Sequence, residues 1–124
     1  MKQIIKTDQA PSAIGPYSQA VIANGFLFVS GQLPINPQTG IMAAGIQQQT
    51  RQVLENVSAI LADQKLTLDH VVKTTVFLQE MNDFQLMNEV YADYFQQDAP
   101  ARACFQVAKL PKNALVEIEA IAVL

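Results

Sequence analysis

With 124 residues, half of them apolar, 15% charged and a net charge of −3, the chain fits one domain (1–124) whose core needs neither a disulfide nor a structural metal. Soluble domains usually carry roughly 25% charged residues, so part of the apolar surface is expected to lie between subunits. No stretch clusters Lys or Arg, which argues against a nucleic-acid backbone as partner, and one cysteine, Cys104, with one histidine, His70, is too few for an internal disulfide or a zinc site.

The opening residues, Met1 to Ile5, lack the apolar run of a signal peptide, and no segment reaches membrane-spanning length. A cytoplasmic protein without a membrane partner is therefore expected. A short strand is expected near Lys2–Lys6. It leads into Ala10-Pro11-Ser12-Ala13-Ile14-Gly15-Pro16, where two prolines and a glycine exclude a helix and point to an ordered loop. Ala20–Ala23 and Phe26–Ser30 flank Asn24-Gly25. This is a strong hairpin signal, because both central residues of a type I′ turn need positive φ. Gly31 to Gly40 reads as a loop punctuated by Pro and Gly.

From about Gly45 to Lys65 the apolar residues Ile46, Val53, Leu54, Val57, Ile60 and Leu61 recur on one stripe, the period of an amphipathic helix. His70 follows as a surface or capping residue. Val71–Leu78 is rich in β-branched residues and reads as a strand. A second helix is expected after an N-cap at Asn82 or Asp83, with Phe84, Met87, Tyr91 and Tyr94 at helical spacing. Pro100 separates it from two closing strands, Ala101–Ala108 and Leu115–Leu124. The order is β-β-β-α-β-α-β-β, an α+β arrangement with two helices on one face of one mixed sheet. Because the last strand is apolar on both faces, the uncovered side asks for a partner subunit.

Alternation along a strand puts Arg102, Cys104 and Gln106 on one face of the first closing strand. In the final strand it puts Glu117 and Glu119 together, opposite Val116, Ile118 and Ala120. A cation, a thiol and two carboxylates in an apolar pair of strands are costly unless paired or used. Two readings follow. One is a structural ion pair of Arg102 with Glu117 or Glu119. The other is a site in which Arg102 grips a ligand carboxylate through its planar fork. Cys104 by itself reads as a small buried apolar residue, and the loop residue Tyr17 either packs or lines a site.

At these positions the chain resembles the RidA-type branch of the Rid (YjgF) family of reactive-intermediate imine deaminases. The resemblance spans nearly the whole chain. It rests on Ala10-Pro11-Ser12-Ala13-Ile14-Gly15-Pro16-Tyr17-Ser18-Gln19, Ser30-Gly31-Gln32-Leu33-Pro34, Asn56-Val57 and Val72-Lys73-Thr74-Thr75-Val76-Phe77. It closes on Pro100-Ala101-Arg102-Ala103-Cys104 and Leu110-Pro111-Lys112-Asn113-Ala114-Leu115-Val116-Glu117-Ile118-Glu119-Ala120. The resemblance implies a chorismate-mutase-like fold and a homotrimer with a central barrel and three inter-subunit sites. It also implies hydrolysis of 2-iminopropanoate and 2-iminobutanoate, with their enamine tautomers, to 2-oxo acids and ammonia.

Residue by residue, the resemblance implies that Arg102 binds the substrate carboxylate and that Glu117 positions the attacking water. Tyr17, Ser30, Gly31, Asn88 and Cys104 would complete the pocket, with no metal and no cofactor. Periodicity does not separate Glu117 from Glu119; the family motif does. Ala103, Gln106 and Lys109 stand where the family more often has serine, glutamate and arginine, and Gln106 shares the face of Arg102. Three rival readings are a non-catalytic trimer that binds small carboxylic acids, a chorismate mutase, and a nuclease or translation inhibitor. The first has no use for Glu117, the second needs more cations than this chain offers, and the third needs a basic stripe.

Overall fold

Asn24 and Gly25 turn the chain with φ of 53° and 82°, the left-handed pair that a type I′ hairpin requires. The structure, a computed structural model, describes residues 1–124. That hairpin joins β2 (Ala20–Ala23) to β3 (Phe26–Gln32), and the opening strand β1 (Gln3–Ile5) pairs antiparallel with β2. Helix α1 (Ile46–Asp63), β4 (Val71–Leu78), α2 (Phe84–Tyr94), β5 (Ala101–Gln106) and β6 (Val116–Val123) follow. The element order and the mixed sheet agree with the sequence reading, and the strands stand in the order β1-β2-β3-β6-β4-β5. Only β4 and β5 are parallel neighbours.

Local details depart from expectation at the end of β3 and at the start of α2, and agree with it at His70. Gly31 and Gln32 lie inside β3, not in a loop, and a register irregularity between Val29 and Gln32 against β6 marks a bulge. A bulge bends the strand and re-aims its side chains. Asp83 does hold the N-cap of α2, but its side chain makes no capping bond, because a short 3₁₀ turn at Met81–Asp83 already leads into the helix. His70 acts as a cap: its Nδ1 accepts from the Thr67 N–H in a capping box.

The larger departure concerns neighbours. The two closing strands do not touch; β4 lies between them. Thr74 and Val76 of β4 stand beside Arg102 and Cys104 of β5 and beside Ala120 and Ile118 of β6. Thr75 and Phe77 stand beside Glu119 and Glu117. Residues directly paired across strands share a face, so Arg102 and Glu117 project from opposite sides of the sheet. The structural ion pair is thereby excluded within one chain.

One face is dry. Val116, Ile118, Ala120 and Ala122 of β6 are buried with Leu27 and Val29 of β3 and Val76 and Leu78 of β4. They pack beneath Val53, Leu54, Val57, Ile60 and Leu61 of α1 and Met87 and Tyr91 of α2. The other face carries Phe28 and Phe105, 44% and 46% exposed, with Phe77 edge-on to Phe105 at 5.3 Å. Two helices cover only one side of the sheet, as the sequence pattern implied. No helix is long and apolar enough to cross a membrane.

The long connection from β3 to α1 is held by a buried amide. Asn56, 1% exposed on α1, donates from Nδ2 to the carbonyls of Leu33 and Ile35, each at 3.0 Å. Its Oδ1 accepts from Gln52 at 2.9 Å. Replacing Asn56 by Leu would strip both carbonyls of their donor, and each such loss costs about 1–3 kcal/mol. Asn56→Leu is expected to lower the unfolding free energy by about 2–6 kcal/mol, read from the urea midpoint at an unchanged slope; a change within experimental error would show that the connection is held by other means.

Candidate active site

Glu117 rises from the open face of β6 beside the bulge of β3. A Cβ built on Gly31 would meet the Glu117 carboxyl carbon at 2.9 Å and its Cγ at 3.2 Å. Only a residue without a side chain leaves the carboxylate its place there. The group is half-buried. Burial, and after it the neighbouring Glu119, holds its carboxyl above the ordinary glutamate value, the expected direction for a desolvated acid beside a like charge.

Glu117 opens into a cleft of about 770 Å³ lined also by Glu119, Tyr17, Ser30, Gly31 and Leu33. The Tyr17 wall is braced by Gln19, which is 3% exposed. Its Oε1 accepts from the Thr7 N–H at 2.7 Å. Its Nε2 donates to the carbonyls of Thr7 at 3.0 Å and Pro11 at 2.7 Å. Ser30 ties the same segment to β3: its N–H donates to the Gln19 carbonyl and its hydroxyl to the Ser18 carbonyl. Tyr17 itself is 53% exposed, a ring facing the cleft and not a packed one. The far wall includes Lys112, in a turn where Lys112 and Asn113 both adopt positive φ, 56° and 59°.

Arg102 belongs to a second group, on the helix face at the β5 edge. Its Nη1 donates to Asn88 Oδ1 at 2.7 Å. Its guanidinium carbon stands 4.8 Å from the centroid of the Tyr91 ring and 5.5 Å from that of Phe84, so aromatic faces help to hold the cation. Tyr91 is fixed in turn by a buried hydroxyl–hydroxyl bond of 2.7 Å to Thr74. Cys104 lies two residues along the same face of β5 and is half-buried. Burial pushes its thiol up, against a smaller downward pull from Arg102.

The sequence-derived residues thus fall into two sets. Tyr17, Ser30, Gly31 and Glu117 meet in the cleft; Arg102, Asn88 and Cys104 meet at the β5–α2 edge. The role of Phe84 and Tyr91 in seating Arg102 was not read from sequence. Their place on the apolar stripe of α2 was visible, but a stripe residue that packs and one that packs against a cation look alike. Tyr94, on the same helical stripe, is half-buried, and its hydroxyl donates to Glu55 Oε2 at 2.8 Å, joining the two helices. Burial and that bond push its phenol up to about 12.

Comparison with known proteins bears on the whole chain. Residues 7–124 match the family model described as Endoribonuclease L-PSP. A RutC family protein of Pyrococcus horikoshii is 56% identical over 123 residues, 98% of either chain. TdcF of Escherichia coli strain K12, named as a candidate reactive intermediate deaminase, is 50% identical over 99% of this chain and 98% of its own. The crystal structure of Escherichia coli TdcF with bound serine superposes with a TM-score of 0.95 at 49% identity, covering 98% of both chains. RidA from the Antarctic bacterium Psychrobacter sp. PAMC 21119 superposes with a TM-score of 0.95 at 43% identity, covering 98% of this chain and 99% of the other. A family match over nearly the full length, with relatives of half-identical sequence and the same fold, has one meaning: the chain belongs to the Rid (YjgF) family, which the Endoribonuclease L-PSP description covers.

Proposed function

We propose that this protein hydrolyses reactive 2-imino acids and their 2-enamine tautomers, 2-iminopropanoate and 2-iminobutanoate foremost, to 2-oxo acids and ammonia. In this reading it works as a homotrimer of single-domain chains in the cytoplasm, with a site in each cleft between subunits. The observation that carries it is the separation of Arg102 from Glu117. Each is held in prepared surroundings, yet they leave opposite faces of one sheet. A site that uses both draws Arg102 from one copy and Glu117 from the next. The exposed aromatic face and the low charge of the chain favour such an assembly, and the name given to TdcF favours the chemistry.

The mechanism then makes modest demands. Arg102 accepts the substrate carboxylate in its fork, two charge-assisted bonds worth about 1.5–3 kcal/mol each. Asn88 and the Tyr91 ring fix the plane of that fork. In the facing cleft Glu117 holds a water against the imine carbon, with Tyr17 and the backbone at Gly31 and Cys104 closing around the substrate. The water oxygen bonds to carbon while Glu117 takes its proton. The same carboxyl passes that proton to nitrogen; as the C–N bond breaks, the carbinol hydroxyl returns its proton to Glu117, the carbonyl of the 2-oxo acid forms, and ammonia leaves. A carboxyl whose pKa burial raises is suited to take and return a proton, a role worth roughly 10²–10⁴-fold in rate. An iminium carbon is already electrophilic, so orientation of the two reactants supplies much of the remainder.

The family's nuclease description offers a second reading, against which stand the net charge of −3 and the two carboxylates in the cleft. Salt-sensitive binding without cleavage is its expected fate.

The test generates 2-iminobutanoate with a threonine dehydratase in the presence of semicarbazide. Wild type is expected to suppress the trapped adduct, and Arg102→Ala to lose that effect by a factor of about 100 or more, the loss of two charge-assisted bonds. No suppression by folded wild type would retire catalysis in favour of a carboxylate-binding protein. Mixing is the sharper experiment. Unfolded and refolded together in equal amounts, Arg102→Ala and Glu117→Ala chains are expected to regain activity at about a quarter of the sites, those that draw one intact group from each parent. Recovery of none would place both groups in sites built from a single chain.

A further inference from the structure

Glu119 is the acidic group of the cleft that the mechanism above leaves unused. It stands two residues from Glu117 on the same face of β6, and both line the cleft. We propose that Glu119 is a positioning residue for this site, whose negative charge sets the pH at which Glu117 gives up its proton. The proposal rests on the deaminase reading for its kinetic test alone; the electrostatic coupling stands on the geometry.

Successive residues on one face of a strand lie about 7 Å apart, less than the screening length of about 8–10 Å at ordinary salt. The two carboxylates therefore feel each other, and their surroundings differ. Glu117 is half-buried against Gly31, whereas Glu119 is exposed. Glu119 also borders a smaller depression of about 160 Å³ on the open face, shared with Lys73 and Thr75 of β4 and with Phe28 and Ile121. Within one chain Glu119 is the better hydrated of the two. Its charge then opposes ionisation of the more buried one, which keeps its proton to higher pH.

The other charged and titratable groups around the pair can be placed. Lys73 faces Glu119 from β4, Lys112 enters the cleft from the turn before β6, and Tyr17 faces it from the loop before β2. On the open face β3 presents Phe26 and Phe28, and β5 presents Ala103 and Phe105. In the proposed trimer Arg102 of a neighbouring copy enters as well. Lys112 and that arginine favour an ionised Glu117; burial first, and Glu119 after it, hold its proton against them. This gives one glutamate the transfer and the other the control of its timing.

The sign is fixed by the role of Glu117. It must be ionised to take a proton from water, so the rate falls on the acid side of its pKa. Removing the charge of Glu119 lowers that pKa. In Glu119→Gln the acid limb of the kcat/KM profile for 2-iminobutanoate is expected to move to lower pH by about half a unit or more, a roughly threefold gain in relative rate at a pH on that limb. Glu119→Asp is expected to keep the wild-type limb. A Gln variant that is merely slower at every pH, with its limb unmoved, would overturn the proposal and leave Glu119 a structural residue. If wild type shows no hydrolysis at any pH, the deaminase reading fails on its own. The Glu117 carboxyl is then titrated by ¹³C NMR in wild type and in Glu119→Gln, and an unmoved midpoint overturns the coupling too.

Discussion

Covering a six-stranded sheet on one side only is the constraint from which the rest follows. It divides β6 into a dry row, Val116, Ile118, Ala120 and Ala122, and a wet row that includes Glu117 and Glu119. A carboxylate on the dry row would be an isolated charge under two helices, at a cost of several kcal/mol. On the other side it meets solvent, a glycine bulge and a cleft. Arg102 obeys the same rule from the opposite direction. It lies on the helix face, but on β5, the last strand of the sheet. There it is half-buried against Phe84 and Tyr91. Stacking worth about 0.5–2 kcal/mol and a bond to Asn88 take the place of part of its hydration.

Around that sheet the irregular parts are held by amide side chains more than by further secondary structure. Gln19 serves the segment before β2 and Asn56 the segment after β3. Gln49 of α1 joins the Leu115 N–H, just ahead of β6, to the Ala43 carbonyl. A carboxamide offers both a donor and an acceptor, so one side chain can satisfy a turn that has no strand to pair with. Every buried side-chain nitrogen or oxygen finds a partner. Gln19 lines the cleft and Asn56 holds the carbonyls of Leu33 and Ile35 in its wall, which explains how a pocket built largely from loops keeps a defined shape.

Much of this was legible in the residues. The Asn24–Gly25 hairpin, both helices, the order of elements and the split between Glu117 and its apolar neighbours follow from turn chemistry and from periods of 2 and 3.6. What was not legible is non-local. Nothing in the spacing of β5 and β6 says that β4 inserts between them, so two polar clusters on consecutive strands looked like one. Gly31 read as loop punctuation because a bulge and a turn use the same residue; only its distance to Glu117 separates them. Asn88 and Cys104, named from the family motif, do lie beside Arg102. Phe84 and Tyr91 were read as part of the apolar stripe of α2 without notice of the charge they face.

The seat of Arg102 is written into helical phase. Phe84, Asn88 and Tyr91 are four and three residues apart on α2, the intervals that keep side chains on one side of a helix. Inserting or deleting a single residue between them would turn one member away by about 100°. Lengthening the connection between β3 and α1 would leave all three in place. The helix can therefore exchange its outward residues and keep the seat, but it cannot gain or lose a single residue between Phe84 and Tyr91 without breaking it.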